Sequence, residues 1–161
     1  MHSAASLLTI GLLAGLHLGS DAPQLSGVRL EMAKARVHTV LDRIADYKSE
    51  DENQEVWTLK NDPSIQSLIV GYAPDNRVRY LTTLPKTAGK ALPCQPLGDI
   101  KKAQVAGTAG NYVYTRSWKQ DEDEFVASAR AEAGHLTRCS VKKVGVGFED
   151  EAAERADRKH E

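Results

Sequence analysis

The chain has no surplus of charge of one sign: 21 Lys and Arg residues face 22 Asp and Glu residues, for a formal net charge of -1. A protein that holds nucleic acid through its phosphates needs a basic excess to displace counterions, so a general nucleic-acid binder is excluded. Long apolar runs are scarce as well. Only residues 6–18 raise the membrane question, and they fall short of the roughly 20 residues that cross a bilayer. A polytopic membrane protein is therefore excluded. Catalytic signatures are missing too: there is no Ser/His/Asp elbow, no P-loop, no GxGxxG and no HExxH. The two cysteines are not a CxxC pair, and His2, His17, His38, His135 and His160 are scattered, so no zinc spacing exists. No metal or cofactor is expected, and no enzyme activity.

What is present is ordinary globular material. Hydrophobic residues make up 41% of the 161 positions, too many for a disordered chain of this low net charge. A chain of this length buries a core without metal or many disulfides.

Residues 6–18 (SLLTIGLLAGLHL) suit the apolar core of a secretory signal peptide, and Gly19, Ser20, Asp21, Ala22 and Pro23 follow as small and turn-forming residues. The segment before the run holds His2 and neither Lys nor Arg, and no cysteine follows it to carry a lipid. Residues 1–22 are read as a leader, and the protein as periplasmic or secreted. The alternatives are an internal buried helix or, if the run stays uncleaved, a membrane anchor on residues 6–18. Export gives Cys94 and Cys139 a meaning: in an oxidising compartment they pair, and the long loop between them adds ~3–4 kcal/mol of chain-entropy stabilisation. Two unpaired thiols in the core are the alternative.

Beyond the leader, apolar residues at Ala33, Val37, Val40, Leu41, Ile44 and Ala45 recur at helical steps and predict an amphipathic helix over residues 28–47. Residues 48–54 read as a polar loop. Strands are expected over 55–60, 65–72 and 77–84, separated by Asn61-Asp62-Pro63-Ser64 and Ala73-Pro74-Asp75-Asn76, both strong turn chemistry. On the third strand Val78, Tyr80 and Thr82 alternate onto one side. A Pro/Gly/Lys-rich connection spans 85–98. A short helix follows over 99–105 with Asp99 as its N-cap, then strands over 111–119, 124–131 and 135–144. The halves match in pattern at an offset of about 57–58 residues, which suggests a duplication. The expected fold class is α+β: two tandem units, each a helix plus a three-stranded antiparallel meander, over 26–84 and 97–146. A charged tail covers 149–161.

The stretch SGVRLEMAKARVHTVL, then VWTL, then IQSLIVGYAPDNRVRYLT, resembles the small α/β module of outer-membrane assembly lipoproteins of the SmpA/OmlA type, which occurs in tandem in β-lactamase-inhibitor proteins. Met32, Val37 and Leu41 match the helix, Trp57 the aromatic strand, and Asp75-Asn76-Arg77-Val78 the turn and return strand. Glu31 stands where the family usually has Gly, Ala33 where it has a Ser or Thr cap, and Asp42 where a Gly ends the helix. The likeness covers residues 26–84 well and 97–144 poorly. It implies an envelope or secreted binding module and transfers no catalytic residue.

Three groups merit attention as sites. Asp121 to Glu124 is an acidic run without calcium-loop spacing, read as a solvated hairpin tip. Arg77 and Arg79 lie two residues apart on one strand and point the same way, toward an anionic partner or toward solvent. Tyr112, Tyr114 and Trp118 share parity and form the preferred partner-facing patch, with a core row as the alternative. The expected function is a non-catalytic interaction module that binds another envelope protein through a sheet face. The alternatives are an accessory subunit of a membrane complex or a small exported enzyme.

Overall fold

The computed structural model describes residues 22–87 and 92–145. The proposed leader core and the charged tail lie outside the described residues. A two-stranded ribbon of β1 (Gln24–Leu25) and β2 (Val28–Arg29) leads into one helix, α1 (Lys34–Leu41). Two four-stranded antiparallel meanders follow. The first is β3 (Ala45–Asp51), β4 (Gln54–Leu59), β5 (Ile65–Tyr72) and β6 (Val78–Pro85); the second is β7 (Gln104–Thr108), β8 (Asn111–Gln120), β9 (Asp123–Glu132) and β10 (His135–Lys143). Their last strands pair, Leu81 opposite Val141 and Thr83 opposite Cys139, so all eight strands form one sheet in the order β3-β4-β5-β6-β10-β9-β8-β7.

This corrects the expected fold class. The described chain is mostly β with a single helix, and it is not two helix-plus-three-strand units. The expected long helix over 28–47 shrinks to Lys34–Leu41. At its front, Glu31 sits at φ 67°, which no helix admits, and Ala33 is extended and bridged to Arg77. At its back, Ala45 already pairs with Leu59 as β3 begins. The apolar recurrence was genuine in part: Val37 and Leu41 are buried in the helix, while Val28 and Ala45 are buried in strands and Ile44 is exposed. The expected loop over 48–54 is largely β3, an edge strand exposed at six of its seven positions, with no alternation to betray it. In the second half, the expected helix over 99–105 is a 3-10 turn, Ile100–Lys102, because Gln104 onward pairs with β8. Asp99 does cap it, its Oδ1 accepting from the Lys101 amide at 3.0 Å.

One sheet face carries the core. Trp57 and Leu59 from β4, Leu68 and Val70 from β5, Leu81 from β6, Val141 from β10, and Phe125, Ala127 and Ala129 from β9 are all buried there. Three pieces cover it: Val37 and Leu41 of α1, Leu25 and Val28 of the ribbon, and the segment carrying Leu92 and Leu97. A disulfide, Cys94–Cys139, with a Cα–Cα distance of 5.4 Å, fastens that segment to β10. Such a bond points to an oxidising compartment. The opposite face is more polar: Thr82 and Ser140 share a hydrogen bond of 2.8 Å across the central pair.

Bulges decide which side chains reach the core. On β6, Val78 lies opposite Tyr72 and Tyr80 opposite Gly71, leaving Arg79 as the extra residue. An extra residue reverses side-chain parity. Val78 is therefore fully buried, while Tyr80 and Thr82 stand on the opposite face, which corrects the expectation that the three share a side. Tyr80 lays its ring across Gly71 and donates from its hydroxyl to Gln54 Oε1 at 2.7 Å. A Cβ on Gly71 would fall inside that ring. Gly71→Ala is thus expected to destabilise by about 1–3 kcal/mol, the usual cost of forced overpacking. In a Tyr80→Ala background the same change should cost far less, and urea denaturation of the four-member cycle measures the difference. Equal costs in both backgrounds would contradict the contact.

Candidate functional site

The most unusual group in the molecule is a buried carboxylate. Glu55 lies on β4 with the parity of Trp57 and Leu59, so the sheet turns it toward the core, and it is 1% exposed. Four donors converge on it. Tyr72 Oη reaches Oε2 at 2.7 Å, Trp57 Nε1 reaches Oε2 at 3.1 Å, His38 Nε2 reaches Oε1 at 2.8 Å, and Lys34 Nζ lies 3.1 Å from Oε1. The helix explains two of these: Lys34 and His38 are one turn apart on α1, so both side chains lean over the same spot. Tyr72 and Trp57 come from neighbouring strands.

Burial by itself would raise the Glu55 pKa; the hydrogen bonds from Tyr72, His38, Lys34 and Trp57 outweigh it and hold the carboxyl below its ordinary value. The same contacts act on the donors. Burial first, then the Glu55 carboxylate, pushes the Tyr72 phenol far up, so it stays a donor. Lys34 is raised chiefly by its 2.7 Å hydrogen bond to Glu50, with burial opposing. Since an ionised carboxylate only accepts, His38 Nε2 carries the proton. The imidazole also meets Trp57 edge-on at 5.1 Å and Tyr47 at 6.4 Å.

An oriented imidazole backed by a carboxylate is half of a general-base device. The His38 ring packs against Tyr47 and Trp57, and its Nε2 is taken up by Glu55. The group reads as a charge-satisfied hub that ties α1 to the sheet. Sequence reasoning missed it as a constellation. The available signal was the shared parity of Glu55, Trp57 and Leu59, which places a carboxylate in a row of core residues.

Tyr112, Tyr114 and Trp118 do share a face, and it is the core-bearing one: they stand opposite Ala131, Ala129 and Phe125. All three are half-buried, because the covering segment ends over β9 and part of β8. Trp118 stacks on Phe125 at 5.7 Å and receives the Arg116 guanidinium over its ring at 5.5 Å. It also lines a hollow with Pro23, Gln24, Gln95, Pro96 and Gln120. Tyr112 and Tyr114 lie farther out, with ring centres 6.5 Å apart.

Arg77 and Arg79 line a second hollow with Glu31, Asp75 and Lys143. Arg77 donates to the Glu31 carbonyl at 3.0 Å and lies 3.8 Å from Asp75. Lys143 is held by Asp123 at 2.9 Å and Glu31 at 3.4 Å. The hollow is thus of mixed charge rather than a basic patch. Asp121 and Glu122 form the turn between β8 and β9, while Asp123, through Lys143, is structural. Among the described residues no cluster of His, Cys, Asp and Glu is arranged to hold a metal, and no helix is long and apolar enough to cross a membrane. No family model, curated protein or solved structure matches this chain.

Proposed function

We propose that this protein is a non-catalytic, exported interaction module that binds another protein through its sheet. The observation that supports the reading most is the half-buried row of Tyr112, Tyr114 and Trp118 on the core-bearing face, where the disulfide-fastened cover runs out and only its Gln95 and Pro96 reach the Trp118 end. Aromatic side chains offer a large contact area at low entropic cost, and such rows anchor interfaces. Export is supported by the Cys94–Cys139 bond and by the apolar run at residues 6–18. A duplication is supported by the strand order, which reads as one four-stranded meander from either edge to the centre.

Each part has a test. N-terminal sequencing of the mature protein should begin near residues 19–23, and an intact Met1 would defeat secretion with cleavage. For binding, the native envelope fraction is cross-linked to the wild-type chain and to a Tyr112→Ala/Tyr114→Ala variant. The adduct should weaken strongly in the variant, by about tenfold or more for two anchor residues at about 1 kcal/mol each. An adduct of equal yield in both would remove this face from the interface.

A further inference from the structure

Among the described residues no further strand pairs with either end of the sheet, and the two edges are built oppositely. The β3 edge carries Asp46, Lys48, Glu50 and Asp51, all exposed, and Lys48 sits in a bulge between the pairs Tyr47–Trp57 and Ser49–Val56. Charge and bulging are how sheets keep an edge from pairing with another strand. The β7 edge has neither. Gln104, Val105, Ala106, Gly107 and Thr108 are uncharged, all exposed, and pair with β8 in unbroken register. Their outer backbone groups face away from β8.

Exposed apolar residues gather at this same edge. Of the five large hydrophobics exposed among the described residues, Ile100 (39%), Val105 (59%) and Val113 (42%) lie on β7, on β8 and in the turn leading to them. On the core-bearing face Val105 stands opposite Tyr114, and Gly107, without a side chain, stands opposite Tyr112. A strand added outside β7 would therefore set one of its side chains against the open flank of Tyr112. The exposed pair Lys101 and Lys102 precedes the edge and puts positive charge at one end of it.

We propose that β7 is a strand-addition site: it takes an extended segment of a partner protein, with apolar residues at alternate positions and a carboxylate at the end that meets Lys101 and Lys102. Backbone hydrogen bonds supply the affinity, and the alternate side chains supply the selectivity. The inference rests on the sheet-binding reading above and names how the partner engages it. A second copy of the chain is the less suited occupant, because its own β7 (Gln104–Thr108) carries no carboxylate to meet Lys101 and Lys102.

The full chain with its disulfide intact is panned against a phage-displayed library of random peptides, and one enriched peptide is synthesised as the probe. The expected sequences alternate apolar residues and contain Asp or Glu toward one end. Val105→Lys should weaken binding by about tenfold or more, through a desolvated charge at the edge. It should leave thermal unfolding unchanged, since Val105 is 59% exposed. Lys101→Glu/Lys102→Glu should weaken binding by about tenfold at low salt and reverse its salt dependence, since screening then relieves a repulsion. Amide exchange should slow at residues 104–108 in the complex. Failure to enrich any peptide overturns the proposal, as does binding that Val105→Lys leaves intact. If such binding is lost in Tyr112→Ala, the sheet-face reading stands while the edge falls. Dimerisation of the chain alone, abolished by Val105→Lys, would make a second copy the occupant and overturn the partner assignment.

Discussion

Glu55→Ala is expected to destabilise the protein by about 3–5 kcal/mol, the usual cost of breaking a buried ion pair by removing one partner. The substitution strips Tyr72 Oη and Trp57 Nε1 of their acceptor inside the core and removes the charge facing Lys34 and His38. Lys34 and His38 are partly exposed and recover water; Tyr72 and Trp57 do not. Glu55→Gln keeps an acceptor oxygen and should cost less, about 1.5–3 kcal/mol, the range of a hydrogen bond to a charged group. Both values come from urea denaturation at neutral pH. A loss under about 1 kcal/mol for Glu55→Ala would mean that the four contacts are not made in solution.

The same residue dictates a pH dependence. Its folded pKa lies below its unfolded value, so the unfolded chain binds the proton more readily. The stabilisation is fully present above the ordinary carboxylate range. It is lost as pH falls through that range and then through the lower folded pKa. The wild-type protein should therefore lose stability on acidification, and Glu55→Gln should show a shallower slope over that window. Parallel slopes for the two proteins would assign the acid sensitivity to other carboxylates.

Cys94→Ala/Cys139→Ala is expected to cost about 4 kcal/mol if chain entropy in the unfolded state dominates, given a sequence separation of 45 residues. A local effect accompanies the global one. The segment from Leu92 to Leu97 holds two of the residues that seal the core-bearing face, yet it contains no long helix or strand of its own. Without the tether, amides of this segment and of the facing part of β9 should exchange faster than those of β4 and β5. Dithiothreitol should reproduce the effect in the wild-type chain. A double variant as stable as the wild type, with unchanged exchange, would show that Leu92 and Leu97 hold the cover unaided.

The legible parts of this molecule were those with local signals. Five of the six expected strands needed only β-branched alternation and turn residues. Asp75-Asn76 and Ala133-Gly134 appear as turns with Asn76, Ala133 and Gly134 at positive φ. The cysteine pair followed from the compartment argument, and the Asp99 cap from a rule about residue type. The sixth expected strand, over 77–84, was found in place but with its parity misjudged, because Arg79 enters as a bulge. A bulge is a two-strand property: it shows only when the partner residues are counted.

The candidate site shows the same division. The parity of Glu55 with Trp57 and Leu59 puts it in the core-facing row, but a row does not reveal donors. Lys34 and His38 come from a helix, Trp57 from the same strand, and Tyr72 from a segment 17 residues away. Glu31 illustrates the reverse case. Noted as standing where a Gly is usual, it occupies a left-handed conformation at φ 67°, the geometry Gly adopts without cost.

The amino-acid order alone determined six of the eight strands of the large sheet, the turns between them, which two sulfurs are available to pair and which row of β8 carries aromatics, because each depends on neighbours a few residues apart or on a unique pair. Tertiary structure decided the rest: that the strands join into one sheet, that β3 and β7 become its edges, and that the long helix gives way to strand at both ends. Those outcomes turn on backbone hydrogen bonds between distant segments. Such bonds carry no side-chain signature, and they override a helical pattern once the partner strand is in place.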